Sequence, residues 1–116
     1  MPKRKLDPLP SAAFHILLSL VDEDRHGYGI MRQVAEQTEG RMRLGPGTLY
    51  SSIRTLLEER LIEEVDLRED GTLGDERRRY YRLTSAGLKM ARSEAERLAH
   101  LLRVARAKRI LRGRYV

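Results

Sequence analysis

At 116 residues the chain has room for one domain with a single core, plus an appended helix. With 41% hydrophobic residues it is too apolar for wholesale disorder, and the absence of cysteine excludes a disulfide framework and a thiolate zinc site. The 23 Lys and Arg against 17 Asp and Glu give a formal charge of +6, and no apolar run approaches a membrane span.

Met1–Pro10 lacks the apolar stretch of a signal peptide, so a cytoplasmic protein is the default expectation. Residues 1–8 form an arm that carries Lys3, Arg4 and Lys5. Pro8 and Pro10 break any earlier helix, and Ser11 stands where an N-cap is wanted. After it Phe14, Leu17, Leu18 and Val21 recur at helical spacing, a stripe widened by Ile16 and Leu20. Asp22–Asp24 and then His26-Gly27 end this first helix. A second is predicted from about Gly29 to Thr38, apolar on Ile30, Met31, Val34 and Ala35, with Gly40 closing it as a C′ residue. Met42 and Leu44 alternate with Arg41 and Arg43, which predicts a short extra strand.

The third helix is the best signalled. Gly45-Pro46-Gly47-Thr48 is a start signal, with Pro46 in the first turn, where its missing N–H costs nothing. At 100° per residue, Leu49, Ile53, Leu56 and Leu57 fall within about a third of the circumference. The opposite side carries Thr48, Ser51 and Thr55, with Ser52 and Arg54 at its margins. A solvated face usually carries long charged side chains; this one is short, hydroxyl-rich and free of acids until Glu58. Such a face suits close approach to phosphates and base edges, because hydroxyls donate to phosphate oxygens and Arg54 can reach phosphate or guanine. A neutral face packed on another protein is the alternative.

After that helix the period changes from 3.6 to 2. Leu61–Leu67 and Arg77–Leu83 read as two strands around a polar turn containing Asp70-Gly71 and Gly74-Asp75, which together make a wing. Arg77 and Arg78 at its base would lie near a phosphate backbone if the third helix occupied a major groove; the alternative is ion pairing with Glu63, Glu64 and Asp66 across the hairpin. The last segment is a long helix with Thr84 and Ser85 as N-caps and Gly87 in its first turn. Along it Leu88, Ala91, Ala95, Leu98, Leu102 and Ala105 form a heptad seam that ends at Arg109, flanked by Leu101 and Val104. Packing on a second copy is the simplest use of that seam; folding back on the first helix would bury the same stripe within one chain.

Charge is segregated along the chain. Arg77–Ser93 holds six basic residues and no acid, and Arg97–Val116 holds seven and no acid. Such blocks suit a polyanion, since each neutralised phosphate releases a counterion; a solubility device has the same composition. No enzyme pattern stands beside them. His15, His26 and His100 have no ligand-like spacing, Gly27 and Gly29 make no dinucleotide loop, and Ser51 and Ser52 lack a His and acid for a triad, so neither metal nor cofactor is expected.

The runs His26-Gly27-Tyr28-Gly29-Ile30, Gly47-Thr48-Leu49-Tyr50 leading to Leu61-Ile62, and Arg79-Tyr80-Tyr81-Arg82-Leu83-Thr84-Ser85-Ala86-Gly87 together resemble the PadR family of bacterial regulators, over roughly Leu9 to Leu102. The resemblance implies a winged helix-turn-helix, a C-terminal dimerisation helix, repression through inverted-repeat operators and, in some members, a small aromatic or lipophilic effector near the dimer interface. The single terminal helix is similar to the short subgroup. By this resemblance Thr48, Tyr50, Ser51 and Arg54 fall on the recognition helix, Tyr28 at the start of the second helix and Arg78 on the wing. Arg60 stands where the family usually has glycine, and Met42 where members often carry a large aromatic.

The expected fold is mainly α with a small β wing: a basic arm over 1–8, a winged helix-turn-helix over 9–83, a dimerisation helix over 84–107 and a basic tail over 108–116. The expected partners are duplex DNA and a second copy. The expected DNA contacts are Lys5, Tyr28, Thr48, Tyr50, Ser51, Ser52, Arg54, Thr55, Arg77 and Arg78. The expected dimer contacts are Leu88, Ala91, Ala95, Leu98, Leu102 and Ala105. A winged-helix adaptor without sequence-specific DNA binding is the alternative function.

Overall fold

The computed structural model describes residues 9–65 and 79–112. Along them run helix α1 (Ser11–Ser19), strand β1 (Arg25–His26), α2 (Gly27–Gln37), α3 (Pro46–Glu58), β2 (Ile62–Val65), β3 (Tyr80–Leu83) and α4 (Ser85–Ala107). The architecture is mainly helical, with one small antiparallel sheet of order β1-β3-β2. The three short helices close on one core: Ile16 and Leu17 from α1, Ile30 and Val34 from α2, and Leu49, Ile53 and Leu56 from α3. Leu61, Ile62 and Tyr81 seal it from the sheet side and Ala91 from α4. Among the described residues no helix is long and apolar enough to cross a membrane.

The first helix is shorter than its apolar pattern. Its N-cap is Pro10, whose carbonyl accepts from Phe14 at 3.0 Å, and Ser11 is the first helical residue rather than the cap. It ends at Ser19, whose buried hydroxyl donates to the Ile16 carbonyl at 2.7 Å. Leu18 and Val21, expected in the core stripe, are exposed.

The second helix starts two residues before the expected Gly29. Its cap is an imidazole: His26 Nδ1 accepts the Gly29 N–H at 3.0 Å, serving as the side-chain oxygen of Ser or Asp serves elsewhere. At its other end the left-handed C′ residue is Glu39 (φ 54°), and Gly40, expected there, is one residue further on. Gly40 N–H donates to the Ala35 carbonyl at 2.7 Å and Glu39 N–H to that of Glu36 at 3.1 Å, a Schellman closure.

The third strand is also not where alternation placed it. It is β1, which pairs with β3 as Arg25↔Tyr81 and His26↔Tyr80, while residues 41–44 form no strand. Leu44 is buried and Met42 packs against the core without a partner strand. The Met42 N–H is satisfied by the Thr38 hydroxyl at 3.0 Å, which itself donates to the Val34 carbonyl at 2.8 Å. The two wing strands pair from Ile62↔Leu83 to Val65↔Tyr80, so the described strands are shorter than the predicted runs. Residues 66, 67, 77 and 78 lie outside the described residues.

The start of α4 is locked to the end of α3. Thr84 Oγ1 accepts from the Gly87 N–H at 3.0 Å and donates to the Arg60 carbonyl at 2.9 Å. The Thr84 N–H donates to the Leu61 carbonyl at 3.1 Å. A Cβ on Gly87 would run into that same carbonyl oxygen and into Leu83, so only glycine lets the helix lie this close to the backbone. Arg60, in the family's glycine position, does adopt the left-handed conformation (φ 61°), and α3 ends in another Schellman closure, Leu61 N–H to the Leu56 carbonyl at 2.9 Å.

Candidate nucleic-acid interface

Helix α3 separates its faces cleanly. Gly45 caps it in an extended conformation and Pro46 takes the first turn. Leu49, Ile53 and Leu56 are anchored in the core. On the outer side Thr48, Tyr50, Ser51 and Arg54 are exposed, and Ser52 and Thr55 are half-buried. Thr55 Oγ1 donates to the Ser51 carbonyl at 3.2 Å, so its proton is already engaged and only its lone pairs and methyl face outward. Arg54 has no carboxylate partner among the described residues. The structure thus brings these six expected residues onto one helix with a rigid back.

Tyr50 joins this face to the next element. Its ring end lies against Gly27 where a side chain would otherwise project, so α3 crosses the beginning of α2 at close range. Beside that crossing Tyr28 is 61% exposed and stacks on His26, with ring centroids 6.4 Å apart and planes 15° from parallel. His26 in turn meets Tyr80 of β3 edge-on at 5.2 Å. The guanidinium of Arg32 stands over the Tyr28 ring, 5.9 Å from its centroid. Helix α3, α2 and the base of the hairpin therefore meet at His26–Tyr28. Neither the His26 cap nor the Arg32 stack belongs to the expected site. Tyr28 and Arg32 at i, i+4 were the legible signal for the second.

Several arginines near this corner are structural. Arg25 Nε donates to the Ser19 carbonyl at 2.7 Å, and its Nη atoms approach Asp22 and Glu23, which fastens the turn after α1. Arg82 grips Asp24 with Nε and Nη2 at 3.2 and 3.0 Å, tying that turn to β3. The hydrogen bond and charge of Asp24 raise the Arg82 guanidinium above its ordinary range. Arg79 reaches Glu64 across the hairpin at 3.5 Å. Burial, followed by the charge of Glu64, pushes the Tyr81 phenol up. Lys5, Arg77 and Arg78 lie outside the described residues.

The seam of α4 divides in two. Gly87, Ala91 and Glu94 are buried against the chain's own core side, so Ala91, expected at a dimer contact, is already covered within the protomer. The physical reason is periodicity: the stripe expected to meet a second copy is the same stripe that meets α1. Glu94 is held by Arg97, whose Nε lies at 3.0 Å. From there on cover is lost. Leu98 is 36% and Leu101 47% exposed, Ala95 is exposed, and Leu102 and Ala105 are half-buried. Leu88, at 37%, flanks the covered half. Among the described residues no group of His, Cys, Asp and Glu could hold a metal ion.

Three helices with α3 turned outward, a hairpin directly after it and a strand from the α1–α2 turn completing the sheet define a winged helix-turn-helix protein. Residues 16–93 match the transcriptional regulator PadR-like family, more than half of the chain, and the chain belongs to that family. It is similar to a transcriptional regulator from Clostridium thermocellum, with a TM-score of 0.69, 25% identity, and coverage of 85% of this chain and 92% of that one. A PadR family transcription regulator from Clostridium difficile superposes with a TM-score of 0.70 at 22% identity, over 84% of this chain and 97% of its own. Protein X of Lysinibacillus sphaericus is 31% identical over 74 residues, 62% of this chain; the match spans 63% of that relative, less than two thirds of its length.

Proposed function

We propose that the protein is a DNA-binding repressor that acts as a homodimer on an inverted-repeat operator. The observation that carries this reading is the outer face of α3: from Thr48 to Thr55 it bears hydroxyls and Arg54 with no acid, on a helix whose inner face is fixed in the core. Thr48, Tyr50, Ser51, Ser52, Arg54 and Thr55 read the major groove, and Tyr28 flanks them. Lys5, Arg77 and Arg78 join the contact set by their place in the sequence and the charge of their segments.

Dimerisation is supported by length. At about 1.5 Å per residue, the 23 residues of α4 run well past α1, which has 9. Its apolar stripe continues beyond the part α1 can cover, through Leu98, Leu101, Leu102 and Ala105, and a second copy is the partner that repeats the stripe in register. A two-fold dimer presents two α3 helices, which matches paired half-sites. The small aromatic or lipophilic effector implied by the resemblance belongs at this same apolar seam.

Selection from a pool of random duplexes at two salt concentrations tests the reading. Enrichment of an inverted repeat, bound with a steep salt dependence, is the expected result. Weak binding that enriches no sequence would sink the operator and leave the adaptor function.

A further inference from the structure

We propose that Arg32, held over the ring of Tyr28, contacts a DNA phosphodiester outside the recognition helix and sets the register in which α3 docks. This inference rests on the duplex-binding reading above and adds to it a contact that the α3 face does not contain.

Four observations converge on Arg32. Its guanidinium stands 5.9 Å from the Tyr28 centroid, a geometry that holds the planar fork while leaving its N–H edge free. Tyr28 itself stacks on the near-parallel ring of His26. Among the described residues Arg32 has no carboxylate partner, whereas Arg25, Arg79, Arg82 and Arg97 all do. The stack also adjoins the α3 face, because Tyr50 of that helix abuts Gly27, the neighbour of Tyr28.

Charge confines the contact to one end of α2. Tyr28 and Arg32 share an open groove with Met31, Glu36, Glu39 and Arg43. The two glutamates lie in the later turns of α2 and beyond it, where Arg43 also reaches, its Nη2 being beside Gly40. A phosphate is repelled from that mixed end and accepted at the Tyr28 end. An arginine already ordered on a ring loses less freedom when it binds, so a single exposed residue suffices to place the backbone. A phosphate contact of this kind positions the protein without reading bases.

The test compares wild type, Arg32→Ala and Arg32→Lys on the duplex enriched by selection and on an unselected random-sequence duplex pool. All three proteins are first checked for equal thermal unfolding, which an exposed position should leave unchanged. Arg32→Ala should weaken binding to both duplexes several-fold at low salt. It should also make the slope of log K against log salt shallower by about 0.9, the value for one phosphate. Arg32→Lys should keep the slope and lose part of the affinity, having the charge without the stacked fork. The sequence recovered by selection should be the same for all three. An unchanged slope in Arg32→Ala overturns the contact while leaving DNA binding intact. A changed consensus overturns it in favour of base reading. Absence of salt-dependent binding by wild type removes the duplex reading itself, and this contact with it.

Discussion

Arg60 holds a conformation that L-residues adopt at a cost. Its φ of 61° puts Cβ close to the following carbonyl, a penalty of roughly 1–2 kcal/mol that glycine escapes. The fold holds it there because the Schellman closure of α3 and the Thr84 hydrogen bond to its carbonyl both require that turn. Its side chain is exposed and makes no ion pair among the described residues. Arg60→Gly should therefore stabilise the protein by about 1 kcal/mol, measured as a rise of several degrees in the unfolding midpoint. A fall in the midpoint would mean that the arginine stem contributes more than the strain removes.

His15 makes a second prediction at this scale. Gln37 Nε2 donates to the His15 carbonyl at 3.0 Å and lies 3.4 Å from its Nδ1, joining α2 to α1. Burial lowers the imidazole below its ordinary 6.5. The unfolded chain then binds a proton near pH 6.5 that the folded chain refuses until lower pH. Stability is thus complete above about pH 6.5 and falls as pH drops from there through the folded value. His15→Gln should lose less stability than wild type between about pH 8 and pH 5, by urea denaturation. Equal losses would assign the slope to other groups.

At the scale of elements, what was legible depended on how many residues carried the pattern. Helix α3 has four apolar positions in phase and a glycine-proline start, so its start and both faces follow from sequence. Strand β1 has two residues, too few for any period to show, and helix α2 after it is capped by a histidine where serine or aspartate is the usual signal. Residues 41–44 alternate like a strand because Met42 and Leu44 dip into the core, and alternation reports burial, not pairing. The site was legible where it lies on α3. It was less so at His26 and Arg32, where stacking across a turn brings together residues with no shared motif. The α3 face gives the element-scale prediction. Ser51 and Arg54 are exposed and lie off the core, so changing both to Glu should leave thermal unfolding nearly unchanged. Two negative charges facing phosphates should nevertheless abolish duplex binding at low salt. Binding that survives the double change would place the DNA elsewhere on the molecule.

At the scale of the whole molecule, the question is what α4 does beyond its own domain. Heptad periodicity cannot tell a stripe that meets α1 from one that meets a twin. The structure divides the stripe near Glu94: Ala91 is buried within the chain, whereas among the described residues Leu98 and Leu101 are exposed and Leu102 and Ala105 only half-buried. A lone helix end carrying Leu98, Leu101 and Leu102 gains little in water, whereas two such ends buried on each other gain roughly 25 cal/mol per Å² of apolar surface covered. Changing Leu98 and Leu102 together to Lys should convert a dimer into a monomer by sedimentation equilibrium. The winged helix-turn-helix core, whose buried side chains lie elsewhere, should keep its cooperative unfolding. Binding to an inverted repeat should fall steeply, since each half-site would then be occupied without the other's effective concentration, while binding to a single half-site should change far less. A variant that stays dimeric would move the interface to another surface, for which exposed Leu18 of α1 and Val21 just after it are the next residues to change.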